Sequence, residues 1–239
     1  MTREEAVKKI IFALDVKTFD EVELWAERLT GHVGMFKVGK QLFTSCGPEA
    51  VKAITKRAGE VFLDLKYHDI PNTVAMATLE AARLGAKLSN LHALGGYEMM
   101  ATTMEKLHQE FPGADRPQVL AVTILTSSNE ETLRGVGIEL PVPEMVVKLA
   151  QLAKKAGVDG VVASPQEVEL IRNACGKDFL IVTPGVRPAF ASADDQKRIM
   201  TPSDAVKAGA DYLVIGRPIA AHPDPVAAAK LIVEEIVNG

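Results

Sequence analysis

The chain has 239 residues, of which 47% are hydrophobic and 24% charged, and its formal net charge is −4. This balance is ordinary for a globular protein, and its mild acidity argues against a general nucleic-acid binder, which is usually strongly basic. The polar start of the chain (MTREEAVKK), the lack of an apolar run of roughly 20 residues, and two cysteines without a CxxC pairing predict a reduced, cytoplasmic protein with no signal peptide and no membrane contact.

Short apolar runs alternate with longer helical patterns along the whole chain. Eight of these runs predict strands, at residues 10–14, 35–38, 61–65, 88–92, 119–125, 160–163, 179–182 and 212–215. Their apolar residues are mostly continuous rather than alternating, which is typical of strands that are buried on both faces of a parallel sheet.

The segments between the apolar runs predict helices. Thr18 and Glu21 form a capping box, and the apolar residues that follow fall at helical spacing. Further helices are predicted at 74–84, 143–156 and 203–208, the last beginning with a Ser-Asp capping signal. Glycines at the ends of several of these patterns suit the position that closes a helix.

Eight β-α units in a chain of this length favour a single-domain (β/α)8 barrel over residues 1–239, with an open doubly wound sheet as the alternative. A barrel carries its chemistry at the carboxyl ends of its strands. A polar residue in a loop is the simpler interpretation of each candidate alone, but their repeated placement favours a functional one. The polar residues and the glycine that lie within or just after the ends of the apolar runs are Asp15, Lys37, Asp64, Lys66, His68, Asp69, Asn90, His92, Thr126, Ser127, Arg187, Gly216 and Arg217.

The densest polar stretch follows the third predicted strand, at residues 61–73 (VFLDLKYHDIPNT). Because side chains two apart in a strand point to the same side, Asp64 and Lys66 should both face the barrel interior. Asp69 lies beyond the strand, where a loop can return its carboxylate to the site or present it to a neighbouring subunit. Pro71 can open the next helix.

An arrangement of acid, lysine and acid near the barrel axis would keep the ammonium group charged. Opposite charges about 4 Å apart attract by roughly 4 kcal/mol at an effective dielectric constant of 20. The alternative is a structural ion pair under the barrel. Buried charges are costly unless they are paired, and an ordinary core has no need of three together, which favours a functional site.

The end of the last predicted strand, Ile215-Gly216-Arg217, suggests a phosphate site. In barrels the loops after strands 7 and 8 often bind phosphate through backbone N–H groups. Gly216 would let the backbone approach the anion, and Arg217 would add a charge-assisted hydrogen bond. A plain strand-to-turn boundary is the alternative.

The segment at about 183–202 has three prolines and no sustained apolar periodicity. Structureless segments of that length in a compact domain are usually functional or disordered. Arg187 and Gln196 lie within it, so we expect a loop that closes over a phosphate group. The alternative is an exposed insertion.

Seven segments of this sequence together resemble the bacterial type of the orotidine 5′-monophosphate decarboxylase family. They occur in the family's order over nearly the whole chain. The DxKxxD core is shared by a wider superfamily of phosphosugar lyases, whereas its extension through Ile-Pro-Asn-Thr is far more specific. The matching segments are ALD at 13–15, FKVG at 36–39, DLKYHDIPNT at 64–73, NLHA at 90–93, LTS at 125–127, TPGVRP at 183–188 and IGR at 215–217.

The resemblance implies a homodimer of barrels that forms uridine 5′-monophosphate and carbon dioxide without a metal or an organic cofactor. It implies that Lys66 donates a proton to C6 of the pyrimidine and that Asp64 lies beside the departing carboxylate. It also implies that Asp69 joins the charged array of the partner's site, and that Ile70 and Thr73 cross the dimer interface.

The resemblance further implies contacts to the two middle parts of the substrate. Asp15 and Lys37 would contact the ribose hydroxyls, and Thr126 and Ser127 would lie near the pyrimidine. The whole run after the third strand is also expected to line the substrate, and its members are Asp64, Leu65, Lys66, Tyr67, His68, Asp69, Ile70, Pro71, Asn72 and Thr73.

The phosphate end of the substrate is the last part that the resemblance assigns. Gln196, Gly216 and Arg217 would hold the phosphate, and Arg187 would belong to the closing loop that also meets it. All four lie at or after the ends of the last two predicted strands.

Two other functions remain open at this point. One is another phosphosugar lyase with the same strand, such as a 3-keto-gulonate-phosphate decarboxylase, which usually needs a magnesium ion. The other is a barrel without turnover that binds a nucleotide as a sensor. The presence of Asp64, Lys66 and Asp69 together speaks against the sensor.

Overall fold

A computed structural model of the chain describes residues 1–57, 59–113, 116–191 and 200–239. The described strands form a closed parallel barrel in which each strand pairs with its neighbours in chain order and the last pairs with the first. The prediction of a (β/α)8 barrel is confirmed, and the alternative of an open sheet is wrong. The strands are β1 Ile10–Ala13, β2 Met35–Gly39, β3 Glu60–Tyr67, β4 Leu88–His92, β5 Gln118–Val122, β6 Gly160–Val162, β7 Leu180–Pro184 and β8 Tyr212–Ile215.

Helices alternate with the strands and cover the outside of the barrel. The predicted capping box is present, since the Thr18 hydroxyl accepts a hydrogen bond from the backbone of Glu21. The α-helices among the described residues are α1 Arg3–Lys8, α2 Phe19–Leu29, α3 Lys40–Cys46, α4 Glu49–Thr55, α5 Pro71–Arg83, α6 Gly96–Glu110, α7 Glu130–Gly135, α8 Val142–Lys155, α9 Val168–Cys175, α10 Pro202–Ala208, α11 Arg217–Ala220 and α12 Pro225–Asn238.

The observed element boundaries differ from the predicted ones by a few residues at most. Helix α10 is capped by Thr201, whose hydroxyl accepts from the Asp204 backbone, and not by the predicted Ser-Asp signal. Pro202 explains the difference, because proline fixes a helical φ and needs no hydrogen-bond acceptor in the first turn. Pro71 likewise opens α5, as predicted.

The barrel interior has an apolar layer below a partly polar one. Its buried lower cluster includes Met35, Phe62 and Leu88, which lie on β2, β3 and β4. Two residues further along these same strands, the inward positions carry Lys37, Asp64 and Asn90. Since side chains alternate along a strand, this step of two places polar groups directly above the apolar layer, towards the carboxyl ends. The barrel interior therefore has a layer of charged and polar side chains next to an apolar layer.

Two ion pairs lie at the opposite, amino-terminal end of the barrel, and each of them contacts neighbouring strands. The Asp159 carboxylate, just before β6, accepts hydrogen bonds from the Arg116 guanidinium and from the backbone N–H of Val119 on β5. Asp211, just before β8, accepts in the same way from Arg172 and from the backbone of Ile181. These clamps fix the register of neighbouring strands far from the carboxyl ends.

Within the described ranges, no helix is long and apolar enough to cross a membrane.

Candidate active site

A cavity of about 210 Å³ opens at the carboxyl ends of the strands. Asp64 and Lys66 both line it, as predicted from their spacing. Their side chains therefore lie at the mouth of the barrel rather than beneath it or against the helices. The full lining is Lys37, Phe62, Asp64, Lys66, Val122, Ile124, Leu125, Thr126, Val162, Ala163, Pro184 and Val214.

Four charged side chains of alternating sign form a row, and three of them, Lys37, Asp64 and Lys66, line this cavity. Lys37 Nζ lies 3.0 Å from Asp15 Oδ1 and 3.8 Å from Asp64 Oδ2. The other oxygen of Asp64 lies 2.5 Å from Lys66 Nζ. The side chains of Lys37 and Asp64 are each 12% exposed and that of Lys66 is 24% exposed, so water screens these attractions only partly.

The neighbouring lysines keep the Asp64 carboxyl ionised. Its burial alone would raise its pKa, because the charged form loses hydration. The positive charges of Lys66 and Lys37, with hydrogen bonds from Lys66 and Asn90, outweigh that effect and lower the pKa of Asp64 below its usual value. The site therefore holds a carboxylate, and not a neutral acid, between two ammonium groups.

The strand that carries Asp64 and Lys66 is interrupted by a bulge. Leu63 pairs with Ser89 and Tyr67 with Leu91, so three residues of β3 face Asn90 of β4 alone. Among the described residues other than glycine, Lys66 is the one with a positive φ, at 55°. Bulges next to active sites commonly redirect a side chain. The contact between Asp64 and Lys66 thus depends on a local distortion that simple strand alternation does not include.

The cavity has a charged half and an apolar half. Lys37, Asp64 and Lys66 come from β2 and β3, whereas Val122, Val162 and Val214 come from β5, β6 and β8. A flat heterocycle seated in this cavity would have one edge against charges and the other against aliphatic side chains. Such a pocket orients its ligand, since few polar groups converge on one part of it.

The residues of the turn after β3 are exposed and do not line this cavity. Asp69 is exposed, and its carboxylate accepts a hydrogen bond from the backbone N–H of Ile70. No ion pair of Asp69 is present within the described part of the chain. Ile70 is 66% exposed, and Thr73 is exposed in the first turn of α5. The structure therefore does not bring Asp69, Ile70 or Thr73 into the cavity of their own chain.

Three other predicted contacts of this run do not line the cavity either. They are Leu65, Tyr67 and His68. Leu65 and Tyr67 pack against the core between the barrel and the helices. Burial raises the pKa of Tyr67 above its usual value. His68 is exposed, and its ring centroid lies 5.6 Å from that of His92. Burial, together with the charges of His68 and nearby lysines, lowers the pKa of His92.

Two further members of this run, Pro71 and Asn72, lie at the start of the next helix. Pro71 is its first residue, and Asn72 lies beside it at the surface. The Asn72 side-chain oxygen accepts a hydrogen bond from Lys106 Nζ on α6 at 2.6 Å. Neither residue lines the cavity of the described chain.

The segment after β5 forms one wall of the cavity. Thr126 lines the cavity as predicted, whereas Ser127 is exposed and does not line it. A larger crevice of about 610 Å³ lies beside the cavity and shares Ile124, Leu125 and Thr126 with it. Charged residues line the larger crevice as well, but the connected ion pairs of Lys37, Asp64 and Lys66 line the smaller cavity, which we take as the reaction site.

The predicted phosphate site lies at the end of β8, next to the charged chain. A Cβ atom on Gly216 would come within 3.1 Å of Ala13 Cβ and 3.8 Å of Asp15 Oδ2, so the backbone passes close to β1 there. Arg217 follows as the exposed first residue of α11. Arg187 is partly buried at the start of the predicted closing loop, where its backbone N–H donates to Met200. Gln196 lies outside the described residues.

Two residues of the site received no role from the sequence. The sequence marks Asn90 as a polar residue near the end of a strand but does not indicate its contacts with β3; the available signal is an amide within a strand predicted to be buried. Gly39 lies at the end of β2, and a Cβ atom there would stand 2.9 Å from Lys37 Nζ. Its lack of a side chain leaves space for that ammonium group.

Across residues 1–57, 59–113, 116–191 and 200–239, no three His, Cys, Asp or Glu side chains are grouped closely enough to hold a metal ion.

Comparison with known proteins relates the chain to one family of enzymes. Residues 8–232 match the family model described as "Orotidine 5'-phosphate decarboxylase / HUMPS family". The chain is 78% identical to orotidine 5′-phosphate decarboxylase from Geobacter sp. (strain M21) and 71% identical to the one from Geobacter sulfurreducens, with full coverage of both chains. It also superposes on the crystal structure of the Lactobacillus acidophilus enzyme with a TM-score of 0.84, at 38% identity and with 95% and 98% of the two chains covered. The chain therefore belongs to the orotidine 5′-phosphate decarboxylase / HUMPS family.

Proposed function

We propose that Lys66 and Asp64, together with Asp69 of the partner subunit, carry out the reaction of this family. Lys66 would be the proton donor. The observation that carries the proposal is the row of alternating charges that ends at Lys66, at the mouth of a barrel cavity. Such a row holds an ammonium group in a fixed place where a substrate can reach it.

The chain is a carboxy-lyase that converts orotidine 5′-monophosphate into uridine 5′-monophosphate and carbon dioxide, the last step of de novo pyrimidine nucleotide synthesis. The bond between C6 and the carboxylate breaks, and its electron pair stays on C6. The Lys66 ammonium then gives a proton to C6, and the resulting amine takes up one proton from the solvent, so the reaction consumes one proton for each carbon dioxide released. Atoms and charges balance without an oxidant, a reductant or a second substrate.

The electrostatic field of Lys66 is the main source of catalysis in this proposal. Negative charge develops on a carbon atom that has no cofactor to accept it, so a fixed positive charge beside that carbon lowers the barrier. Asp64 and Lys37 hold the ammonium in place before the substrate arrives, which avoids the cost of reorganisation during the reaction. Because Lys66 supplies both the charge and the proton, the proposal includes no metal and no organic cofactor.

The two halves of the cavity fit the two edges of the pyrimidine. The edge that carries the carboxylate would face Asp64 and Lys66, and the opposite edge would lie against the valines of β5, β6 and β8. Asp15 and Lys37, at the outer end of the charged row, would contact the ribose hydroxyls. Thr126 and Ser127 are proposed neighbours of the ring.

The phosphate group would bind at the ends of β7 and β8. Gly216 allows the backbone to approach it, and Arg217 and Arg187 would donate charge-assisted hydrogen bonds, with Gln196 as a further predicted contact. This group lies far from C6 in the substrate. Its binding energy can therefore favour closure of the segment at 183–202 and exclusion of water.

A homodimer would complete the site. Asp69 does not line the cavity of its own chain, and both Asp69 and Ile70 are exposed, so both are available to a second copy. We propose that Asp69, Ile70 and Thr73 enter the partner's site.

The cytoplasmic location also remains a prediction, drawn from the use of cysteine.

The assay that tests the function follows the absorbance of orotidine 5′-monophosphate with the purified protein and no added metal. We expect its loss, in the presence of a chelator, at the rate seen without one. A strict requirement for magnesium would instead favour the related phosphosugar decarboxylases. Binding of uridine 5′-monophosphate without any turnover would favour a nucleotide sensor.

A further inference from the structure

We propose that Asn90 is a positioning residue that aims the Lys66 ammonium and fixes the plane of the Asp64 carboxylate. This role rests on the proposed function of Lys66 as the proton donor. Asn90 lies on β4, directly opposite the bulge of β3, and is only 1% exposed. It does not line the cavity, so it can act only through other residues.

The Asn90 amide makes two hydrogen bonds to residues of the bulge. Its Oδ1 accepts a hydrogen bond from the backbone N–H of Lys66 at 2.7 Å. Its Nδ2 donates to Asp64 Oδ1, also at 2.7 Å. One planar group thus joins the first and the last of the three residues that form the bulge.

The backbone of Lys66 needs such support. At a φ of 55° it lies in the left-handed region, which a lysine rarely adopts. Without the hydrogen bond to Asn90, the backbone could relax towards an extended conformation, and the Lys66 side chain would turn with it. The strained backbone and the short ammonium–carboxylate contact are therefore held by the same amide.

The carboxylate of Asp64 is oriented by the same residue. Its Oδ1 receives hydrogen bonds from both Asn90 Nδ2 and Lys66 Nζ, which leaves Oδ2 facing Lys37. Asn90 therefore determines that Oδ1 of Asp64 contacts Lys66 and that Oδ2 faces Lys37. Asparagine suits this position because it offers an acceptor and a donor in one plane, whereas leucine offers neither and an ionised aspartate offers acceptors alone.

Two substitutions of Asn90 separate its hydrogen bonds from its volume. Asn90→Leu keeps a side chain of similar size without either hydrogen bond, and Asn90→Asp keeps the shape. We expect Asn90→Leu to lower kcat about 100-fold and to change KM less than about 3-fold, because small displacements of catalytic groups act on the chemical step. The binding of uridine 5′-monophosphate, measured by calorimetry, should remain close to that of the unsubstituted protein.

Ser89→Ala provides the matched control. Ser89 is the preceding residue of β4 and is equally buried, at 1% exposure. Its hydroxyl has no hydrogen-bond partner among the described residues. We expect the kcat of this variant to equal that of the unsubstituted protein, which would show that a change within β4 is not in itself harmful.

The pH dependence of Asn90→Asp gives a readout that a purely structural role would not produce. When protonated, the introduced carboxyl can both accept from Lys66 N–H and donate to Asp64, as asparagine does. The charged groups that face it are Asp64 and Lys66 on β3 and Lys37 on β2, with His92 further along β4; its neighbour on β5, Leu120, has no charge. Burial and Asp64 raise its pKa, while the lysines oppose this rise.

We expect the ratio of kcat for Asn90→Asp to kcat for the unsubstituted protein to rise about 10-fold between about pH 8 and about pH 5.5. The same ratio for Asn90→Leu should stay flat. A normal kcat for folded Asn90→Leu, or a flat ratio for Asn90→Asp, would overturn the positioning role. Lys66→Ala is measured in parallel: if it retained normal turnover, the proposed function itself would fail, whatever Asn90 does.

Discussion

Lys37 Nζ lies 3.8 Å from Asp64 Oδ2, so the lysine of β2 and the carboxylate of β3 meet across the sheet at the mouth of the barrel. This contact is one of the two charge pairs that lower the pKa of Asp64 against the effect of burial. Without Lys37, less positive charge would counter the rise that burial causes in the pKa of Asp64. The electrostatic state of Asp64 therefore depends on a neighbouring strand as well as on Lys66.

Lys37→Met should raise the pKa of Asp64 and lower kcat/KM by about 100-fold. In the proposed mechanism Asp64 acts as a carboxylate, so activity should be lost as the pH falls through its pKa in the folded protein. A raised pKa therefore moves the acidic limb of the kcat/KM profile to higher pH. The pH profiles of both proteins measure this shift. Lys52→Met, which removes the same charge from an exposed pair with Glu49, is the control; an acidic limb that stays in place in Lys37→Met would contradict the coupling.

Lys66→Ala and Lys66→Gly should both lower turnover by several orders of magnitude, because each removes the ammonium group. Their stabilities should differ in an unusual direction. At a φ of 55° alanine is strained and glycine is not, so Lys66→Gly should be more stable than Lys66→Ala by about 1–2 kcal/mol in urea unfolding. Equal or reversed stabilities would argue against the left-handed backbone, and near-normal turnover in either variant would remove Lys66 from the mechanism.

Arg217→Ala should weaken catalysis on orotidine 5′-monophosphate by about 10–100-fold and leave the phosphate-free nucleoside orotidine almost unaffected. The reason is that Arg217, at the start of α11, is proposed to contact only the phosphate. Values of kcat/KM for the two substrates give the comparison. Arg3→Ala, which breaks an exposed pair with Glu234, serves as the control, and an equal loss on both substrates would refute the assigned role.

The barrel, and the placement of both Asp64 and Lys66 at its mouth, could be predicted from the sequence because apolar runs and a spacing of two are local patterns. The bulge could not, since it arises where β3 pairs with β4 and two extra residues are accommodated in one strand. Pairing between strands distant in sequence also sets the contact between Lys37 and Asp64. The sequence leaves open whether the Asp69 carboxylate returns to the site of its own chain or faces a neighbouring subunit, because the path of a turn depends on the helix that follows it.

Asp159→Ala should lower the free energy of unfolding by about 2–4 kcal/mol without changing kcat/KM. The carboxylate holds Arg116 and the backbone of Val119 at the amino-terminal end of the barrel, away from the reaction site, and both partners lose their acceptor. Urea unfolding and steady-state kinetics measure the two effects. Glu49→Ala, which breaks an exposed pair with Lys52, should leave the unfolding midpoint almost unchanged. A fall in kcat/KM for folded Asp159→Ala would show that the two ends of the barrel are coupled.

A mixture of Lys66→Ala and Asp69→Ala subunits should recover activity that neither variant has alone. Asp69 is exposed and lies away from the cavity of its own chain, so the proposed dimer pairs it with Lys66 of the partner subunit. After random exchange about half of the dimers would be mixed, and each of these would contain one complete site. We therefore expect about a quarter of the unsubstituted activity, measured after subunit exchange has been verified by mass-tagged subunits. Lys66→Ala mixed with itself is the control, and no recovery after verified exchange would place the action of Asp69 within its own chain.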